Sequence, residues 1–133
     1  MMKINYSWRA DLTDAQLVAL TEAHGGNAEP GWWDRAKRHS LGWVSAHEGD
    51  VLVGFANLAW DGADHAFLLD PKVHADWQHR GIGSELVRRA RDAARDAGCE
   101  WLHVDFEPHL RPFYFDSCGF TSTDAGLIRL TVS

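Results

Sequence analysis

Apolar positions in this chain change period several times, and each change marks an element. Leu12, Leu17 and Leu20 form one side of a helical stretch that Asp11 or Thr13 caps and that runs to about Ala23. The His24-Gly25-Gly26-Asn27 run ends it. Pro30 suits the first turn of a second, short helix holding Trp32, Trp33 and Ala36. From Leu41 the period becomes two. Residues 41–47 and 51–60 predict strands joined by a hairpin at Glu48-Gly49-Asp50. In the second strand Val51, Val53 and Phe55 share one face, and Leu52, Ala56 and Leu58 share the other. Apolar on both sides predicts a central strand covered by helices on both faces.

A turn at Asp61-Gly62 leads to a third strand over 66–73, irregular around Pro71. The period then returns to that of a helix over 83–97. Leu86, Ala90, Ala93 and Ala97 make its buried stripe, widened by Val87 and Ala94. Glu85–Arg89 and Arg88–Asp92 are opposite charges four apart on its solvent side. Gly98 stops it. A strand over 101–106 ends at Pro108, a short helix spans 110–117, and Gly119-Phe120 turns into a terminal strand over 126–132. One strand–helix–strand crossover among hairpins defines an α+β fold, with a mixed, mostly antiparallel sheet between helices. No linker, repeat or low-complexity tract interrupts the chain, so residues 1–133 read as a single domain.

Composition narrows the possible partners. Thirteen Lys and Arg against nineteen Asp and Glu give a formal net charge of −6. That balance argues against nucleic acid, which requires a basic footprint. It leaves room for one local basic site. Cys99 and Cys118 make neither a disulfide framework nor a zinc pattern, and fit reduced thiols of a cytoplasmic protein. Eight histidines show no metal-ligand spacing, so no metal is expected. The first eight residues do not form a signal peptide, and no apolar run is long enough to span a membrane.

The chemistry concentrates in Val73-His74-Ala75-Asp76-Trp77-Gln78-His79-Arg80-Gly81-Ile82-Gly83-Ser84, which leaves a strand and opens the long helix. Gly81 and Gly83 present no side chain to an approaching ligand, and first-turn N–H groups lack intrahelical partners. With the helix dipole they make an anion site, most naturally for a diphosphate, to which Arg80 adds charge. A Gly-rich tight turn without a ligand is the plain alternative. Leu86 stands where a dinucleotide fingerprint requires its third glycine, and there is no Gly-Lys-Ser/Thr triplet.

Val73-x-x-x-x-Gln78-x-x-Gly81-x-Gly83 resembles the acyl-CoA signature of the GNAT family of N-acetyltransferases, and Phe113-Tyr114 with Gly119-Phe120 resembles its late aromatic-helix-Gly-Phe element. The resemblance implies a three-layer α/β/α fold. It implies that backbone groups of Gln78, His79, Arg80, Gly81, Ile82, Gly83 and Ser84 hold the pyrophosphate of acetyl-CoA. Backbone near Leu69–Val73 would pair with the pantetheine arm. Trp32 and Trp33 fall where the family builds its acceptor pocket, although large rings there also serve as core. The family places a tyrosine, the acid for the leaving thiolate, four residues before the late glycine. Here Phe115 holds that position and Tyr114 stands one earlier. A 3₁₀ or frayed helix end is one way for Tyr114 to recover the role.

Acetyl transfer to an amine requires a neutral nucleophile, a polarised carbonyl and a proton for the thiolate. Asp70 and Glu107, each at a strand end, are the candidate bases, and each is also an ordinary turn residue. His65 and His103 read as sheet histidines. With no Gly-x-Ser-x-Gly elbow, a covalent route is disfavoured. The resemblance implies direct attack by a primary amine of a small molecule or peptide in a ternary complex, and it allows a homodimer. A non-catalytic acyl-CoA-binding module on the same fold, and an unrelated binder of phosphate ligands, are the alternative readings.

Overall fold

The computed structural model describes residues 3–131. Its centre is a five-stranded sheet in the order β1-β2-β3-β4-β5, formed by β1 (Asn5–Trp8), β2 (Ser40–Glu48), β3 (Val51–Trp60), β4 (His65–Val73) and β5 (Trp101–His103). Neighbours are antiparallel except β4 and β5, which run parallel because a helix connects them. That helix, α3 (Ile82–Asp96), packs on one face of the sheet, and α1 (Asp14–His24) and α2 (Trp32–Ala36) pack on the other. The family-type α/β/α layering read from the sequence is present.

Each helix starts for a visible local reason. Thr13 caps α1: its hydroxyl accepts from the Gln16 N–H at 3.1 Å, and the Gln16 side chain accepts from the Thr13 N–H at 2.8 Å. Asp11 plays no part in that cap. Asp14 then ties α1 to α2 by accepting from the Gly31 and Trp33 N–H groups at 2.6 and 2.9 Å. On α3, Ile82, Leu86, Val87, Ala90 and Ala94 are buried, while Ala97 is exposed just past the last turn. Both expected ion pairs form, Arg89–Glu85 at 2.7 Å and Arg88–Asp92 at 3.4 Å.

The central strand departs from strict alternation. Val53, Ala56 and Leu58 join the core under α3, whereas Leu52 and Phe55 join the core under α1 and α2. The cause is a bulge: Ala46 pairs with Gly54 but His47 pairs with Leu52, so Val53 has no opposite number. One extra residue flips every later side chain to the other face, which is why Phe55 does not share a face with Val53. Gly54 sits at this bulge because a Cβ there would lie 3.0 Å from Ile82 and 3.1 Å from Leu86, holding α3 off the sheet.

Two strand expectations fail late in the chain, and one strand near its start had no local signal. Asn5–Trp8, too short and polar to stand out, is a strand paired with β2. The fifth strand stops at His103 instead of continuing through 106. The terminal strand expected over 126–132 is absent among the described residues, since 121–131 form neither helix nor strand. A strand requires a partner edge, and the period-two pattern alone supplies none. Residue 132 lies outside the described residues.

Candidate active site

Pairing between β4 and β5 covers only His65–Trp101, Ala66–Leu102 and Phe67–His103. Beyond that β4 continues to Val73 without β5 beside it, and a cleft of about 580 Å³ lies along this part of β4 and the start of α3. Its wall includes Pro71, Lys72 and Val73 from β4, Gln78, His79, Gly81, Ile82, Gly83 and Ser84 from the loop and helix start, and Phe113 and Tyr114 from late in the chain. Segments some forty residues apart in sequence thus share one cavity.

The loop is shaped by two residues with positive φ. His79 lies at +62° and Gly81, the N-cap of α3, at +82°. A glycine is at home there, and the Cβ position of Gly81 has nothing within 4 Å. Gly83 is small for a different reason: a Cβ would lie 3.3 Å from the Phe113 ring, so this glycine lets the late aromatic segment close on α3. The Glu85 N–H is bonded to the Gly81 carbonyl at 3.1 Å, and by helix geometry the N–H groups of Ile82, Gly83 and Ser84 have no carbonyl one turn back. These donors, the dipole end and the Arg80 guanidinium, which lies 5.2 Å from the Trp77 ring centre, form a cradle suited to a diphosphate. Gln78 faces inward, with its amide donating to the Val73 carbonyl at 3.2 Å. His24 Nδ1 is 2.9 Å from the same carbonyl. Because a carbonyl only accepts, that nitrogen carries the proton.

Tyr114 reaches the cleft by a route the sequence did not suggest. Residues Pro112–Ser117 form a π-helical turn, wider than an α-helix, with the Cys118 N–H bonded to the Phe113 carbonyl at 3.0 Å. The expectation was one short helix over 110–117, with a frayed or 3₁₀ end as one way to turn Tyr114; instead a 3₁₀ turn at Pro108–Leu110 precedes the wider π turn. The π-turn holds one more residue than an α-helical turn in the stretch between Tyr114 and the late glycine. The ring is buried and stacked on Phe106 with centroids 4.5 Å apart. Burial first, then the neighbouring Cys118 and Asp105, push its pKa up to about 12. The phenol therefore keeps its proton throughout the neutral range. Phe115 packs edge-on to Phe106 and does not line the cleft.

A second, smaller cleft of about 160 Å³ shares Lys72 with the first. Thr21, Asn27, Ala28, Glu29, Trp32 and Asp70 complete it. Asp70 enters through a bulge in β4: Asn57 pairs with Leu69 and Phe55 with Lys72, leaving Asp70 and Pro71 opposite one residue. Pro71 has no N–H for the ladder, and Asp70 takes φ of +55°, a conformation Asp tolerates better than most residues. Although Asp70 has exposed surface, protein crowds its carboxylate. That desolvation pushes its pKa up, opposed by the Lys72 charge. Lys72 is pushed down by burial, opposed by Asp70. Its ammonium donates to the Thr21 hydroxyl at 2.9 Å and lies 5.2 Å from the Trp32 ring centre. Lys72 had no sequence signal, because its partners come from α1 and α2.

The other sequence candidates divide. Trp32 lines the small cleft. Trp33 does not: it is fully buried, edge-on to Trp43 and Phe55 with centroids at 4.9 and 5.1 Å. It is a core residue, and its Nε1–H is buried without a partner among the described residues. Glu107 lines neither cleft; its side chain is 81% exposed and 3.6 Å from His109. His65 and His103 meet across β4 and β5, with Nδ1 and Nε2 2.8 Å apart, a pairing that parallel register creates and linear spacing conceals. Among the described residues no three His, Cys, Asp or Glu side chains group as metal ligands.

Comparison with known proteins gives the class. The model of the acetyltransferase (GNAT) family matches residues 6–120, and the chain belongs to that family. It is 41% identical over 51 residues, 38% of its length, to a probable glucosamine 6-phosphate N-acetyltransferase 2 of Oryza sativa subsp. japonica. It is 38% identical over 77 residues, 58% of its length, to a mycothiol acetyltransferase of Nocardia farcinica. These stretches span 30% and 23% of those two proteins. The fold matches that of a GNAT family acetyltransferase from Streptococcus pneumoniae TIGR4 with a TM-score of 0.80, at 24% identity, over 97% of this chain and 100% of that one. Among the described residues no helix is long and apolar enough to cross a membrane.

Proposed function

We propose that the protein is an acetyl-CoA-dependent N-acetyltransferase that transfers the acetyl group to a primary amine of a small molecule or peptide. The observation that carries this reading is the shared wall of the larger cleft: the helix-start cradle at one part, the protonated Tyr114 phenol at another. The cleft volume and the array of backbone donors fit an elongated diphosphate ligand. When bound, acetyl-CoA supplies the acyl thioester and the thiolate leaving group. Gln78 to Ser84 hold the diphosphate by backbone N–H groups, and Val73, with its neighbours on the unpaired stretch of β4, lines the path of the arm.

The small cleft receives the acceptor against Trp32. Asp70 takes the proton from the acceptor ammonium, so that the neutral amine attacks the acyl carbon directly in a ternary complex. Crowding raises the affinity of Asp70 for that proton, and the Lys72 charge opposes the rise. Tyr114 gives a proton to the departing sulfur, and the proton that the attacking nitrogen loses as the amide forms restores the phenol. Both roles require groups on opposite sides of the reacting centre, and Lys72 marks where the two clefts meet. The two thiols, both unpaired with each other, suit a cytoplasmic setting where CoA is found.

Release of free CoA thiol from acetyl-CoA across a panel of amino sugars, amino acids, polyamines and peptides tests the reading. At least one amine should accelerate release well above the hydrolytic background. Tight CoA binding with no amine-dependent release would instead identify a binding module.

A further inference from the structure

Lys72 is the one side chain that lines both clefts. Its ammonium donates to the Thr21 hydroxyl at 2.9 Å and stands 5.2 Å from the Trp32 ring centre and 5.9 Å from that of Phe55. Among the described residues it forms no ion pair. Burial pushes its pKa down against the opposing charge of Asp70, so the neutral amine is easier to reach than on a solvated lysine. The proposed function seats an acceptor amine against Trp32 with Asp70 as its base. In the chain as it stands, the amine over Trp32 and beside Asp70 is that of Lys72. Only three of the thirteen Lys and Arg residues are lysines, and the other two are placed differently. Lys3 is exposed, Lys37 pairs with Asp34 at 3.4 Å, and neither lines a cleft described above.

We propose that Lys72 is itself an acetyl acceptor, so that a chain holding acetyl-CoA without an amine substrate acetylates its own Lys72. This inference rests on the cofactor reading of the larger cleft given above. Asp70 takes a proton from the Lys72 ammonium and leaves the neutral amine. Nζ attacks the acyl carbon, the C–N bond forms and the C–S bond of the thioester breaks. Tyr114 gives a proton to the departing sulfur, and the proton that the attacking nitrogen then loses restores the phenol. The products are the CoA thiol and a neutral N-acetyl amide on Lys72, and the proton held by Asp70 passes to solvent. Proximity favours this route, because a tethered amine at the junction of the two clefts meets the thioester without diffusing to it. Unlike transfer to a free acceptor, it happens once per chain, since the amide stays on the protein.

Peptide mass spectrometry of the full chain incubated with acetyl-CoA and no amine tests it, alongside calorimetric titration of CoA. The expected result is a single acetyl group on Lys72, gained at least about tenfold faster than on Lys3 or Lys37, which report uncatalysed acetylation in solution. The rate constant should not depend on protein concentration. Excess CoA, which fills the cradle without an acetyl donor, should suppress labelling of Lys72 alone. Lys72→Arg keeps the charge and should lose the fast label. Labelling of Lys72 no faster than of the other two lysines, in a chain that binds CoA, overturns the proposal and leaves the cofactor reading standing. Fast labelling that excess CoA does not suppress, that grows with protein concentration, or that persists elsewhere in Lys72→Arg also overturns it. A chain that does not bind CoA overturns the cofactor reading and the proposal together.

Discussion

The two clefts that meet at Lys72 are built from different materials. The larger is walled chiefly by one continuous stretch, Val73 to Ser84 with the start of α3, and it presents backbone N–H groups. The smaller takes Thr21 from α1, Glu29 and Trp32 from the turn and helix that follow, and Asp70 and Lys72 from β4, and it works through side chains. A backbone cradle needs only glycine, a helix start and a loop, so one sequence motif specifies it. A side-chain pocket requires several segments to arrive together, and its chemistry changes with any one of them. The proposed function accordingly puts the ligand common to the family in the first cleft and the acceptor that distinguishes one member from another in the second.

The sharpest way to break this division is at Asp70. Asp70→Asn should lower kcat by about 10²–10⁴-fold while leaving CoA affinity intact, the range for loss of a positioned base. Glu107→Gln should change little, because its carboxylate lines neither cleft. A reversal of these two results in steady-state kinetics would move the base to Glu107, in the segment that follows β5. In the parent, the acid limb of kcat/KM should lie above the ordinary carboxylate range, since crowding raises Asp70. Activity then falls as pH drops through that raised value and Asp70 takes up its proton.

Tyr114→Phe comes next, with a fall in kcat of about 10²-fold, the low end for a positioned acid, and an acetyl-CoA KM nearly unchanged. A kcat within about twofold of the parent would reduce the ring to packing between Phe106 and Phe113. The smallest expected effect is that of Lys72→Met, which keeps an apolar stem against Trp32 and removes the charge beside Asp70. Without that opposing charge the Asp70 pKa rises further, so the acid limb should move to higher pH while the plateau rate stays the same. A limb that does not move would show that another group governs it.

The same contrast explains what was legible in the sequence. The Thr13 cap of α1, the α3 stripe from Leu86 to Ala94, the hairpin and the turn that opens α3 at Gly81 are written in neighbouring residues and appear where the local pattern places them. Whatever depended on a distant partner was hidden. Bulges at Val53 and Asp70 arise only when two strands are aligned, and they reassign the faces of Phe55 and Asp70. Trp32 and Trp33 are adjacent in sequence yet divide between cleft and core, because a helix turns consecutive side chains to different sides. The apolar alternation of the terminal segment was recognisable, but among the described residues that segment pairs with no strand of the sheet.

Calorimetric titration of CoA into the parent, Gly81→Asn and Gly81→Asp tests the placement of the cofactor most directly. Both substitutions impose the same left-handed strain at φ +82° and enter the same open space, so they differ chiefly in one negative charge. With the diphosphate a few ångströms from this residue, the Asp variant should bind about 10²–10³-fold more weakly than the Asn variant, the scale of a like-charge contact near a protein surface. Equal affinities in the two folded variants, or no CoA binding by the parent, would contradict a cofactor held by the start of α3.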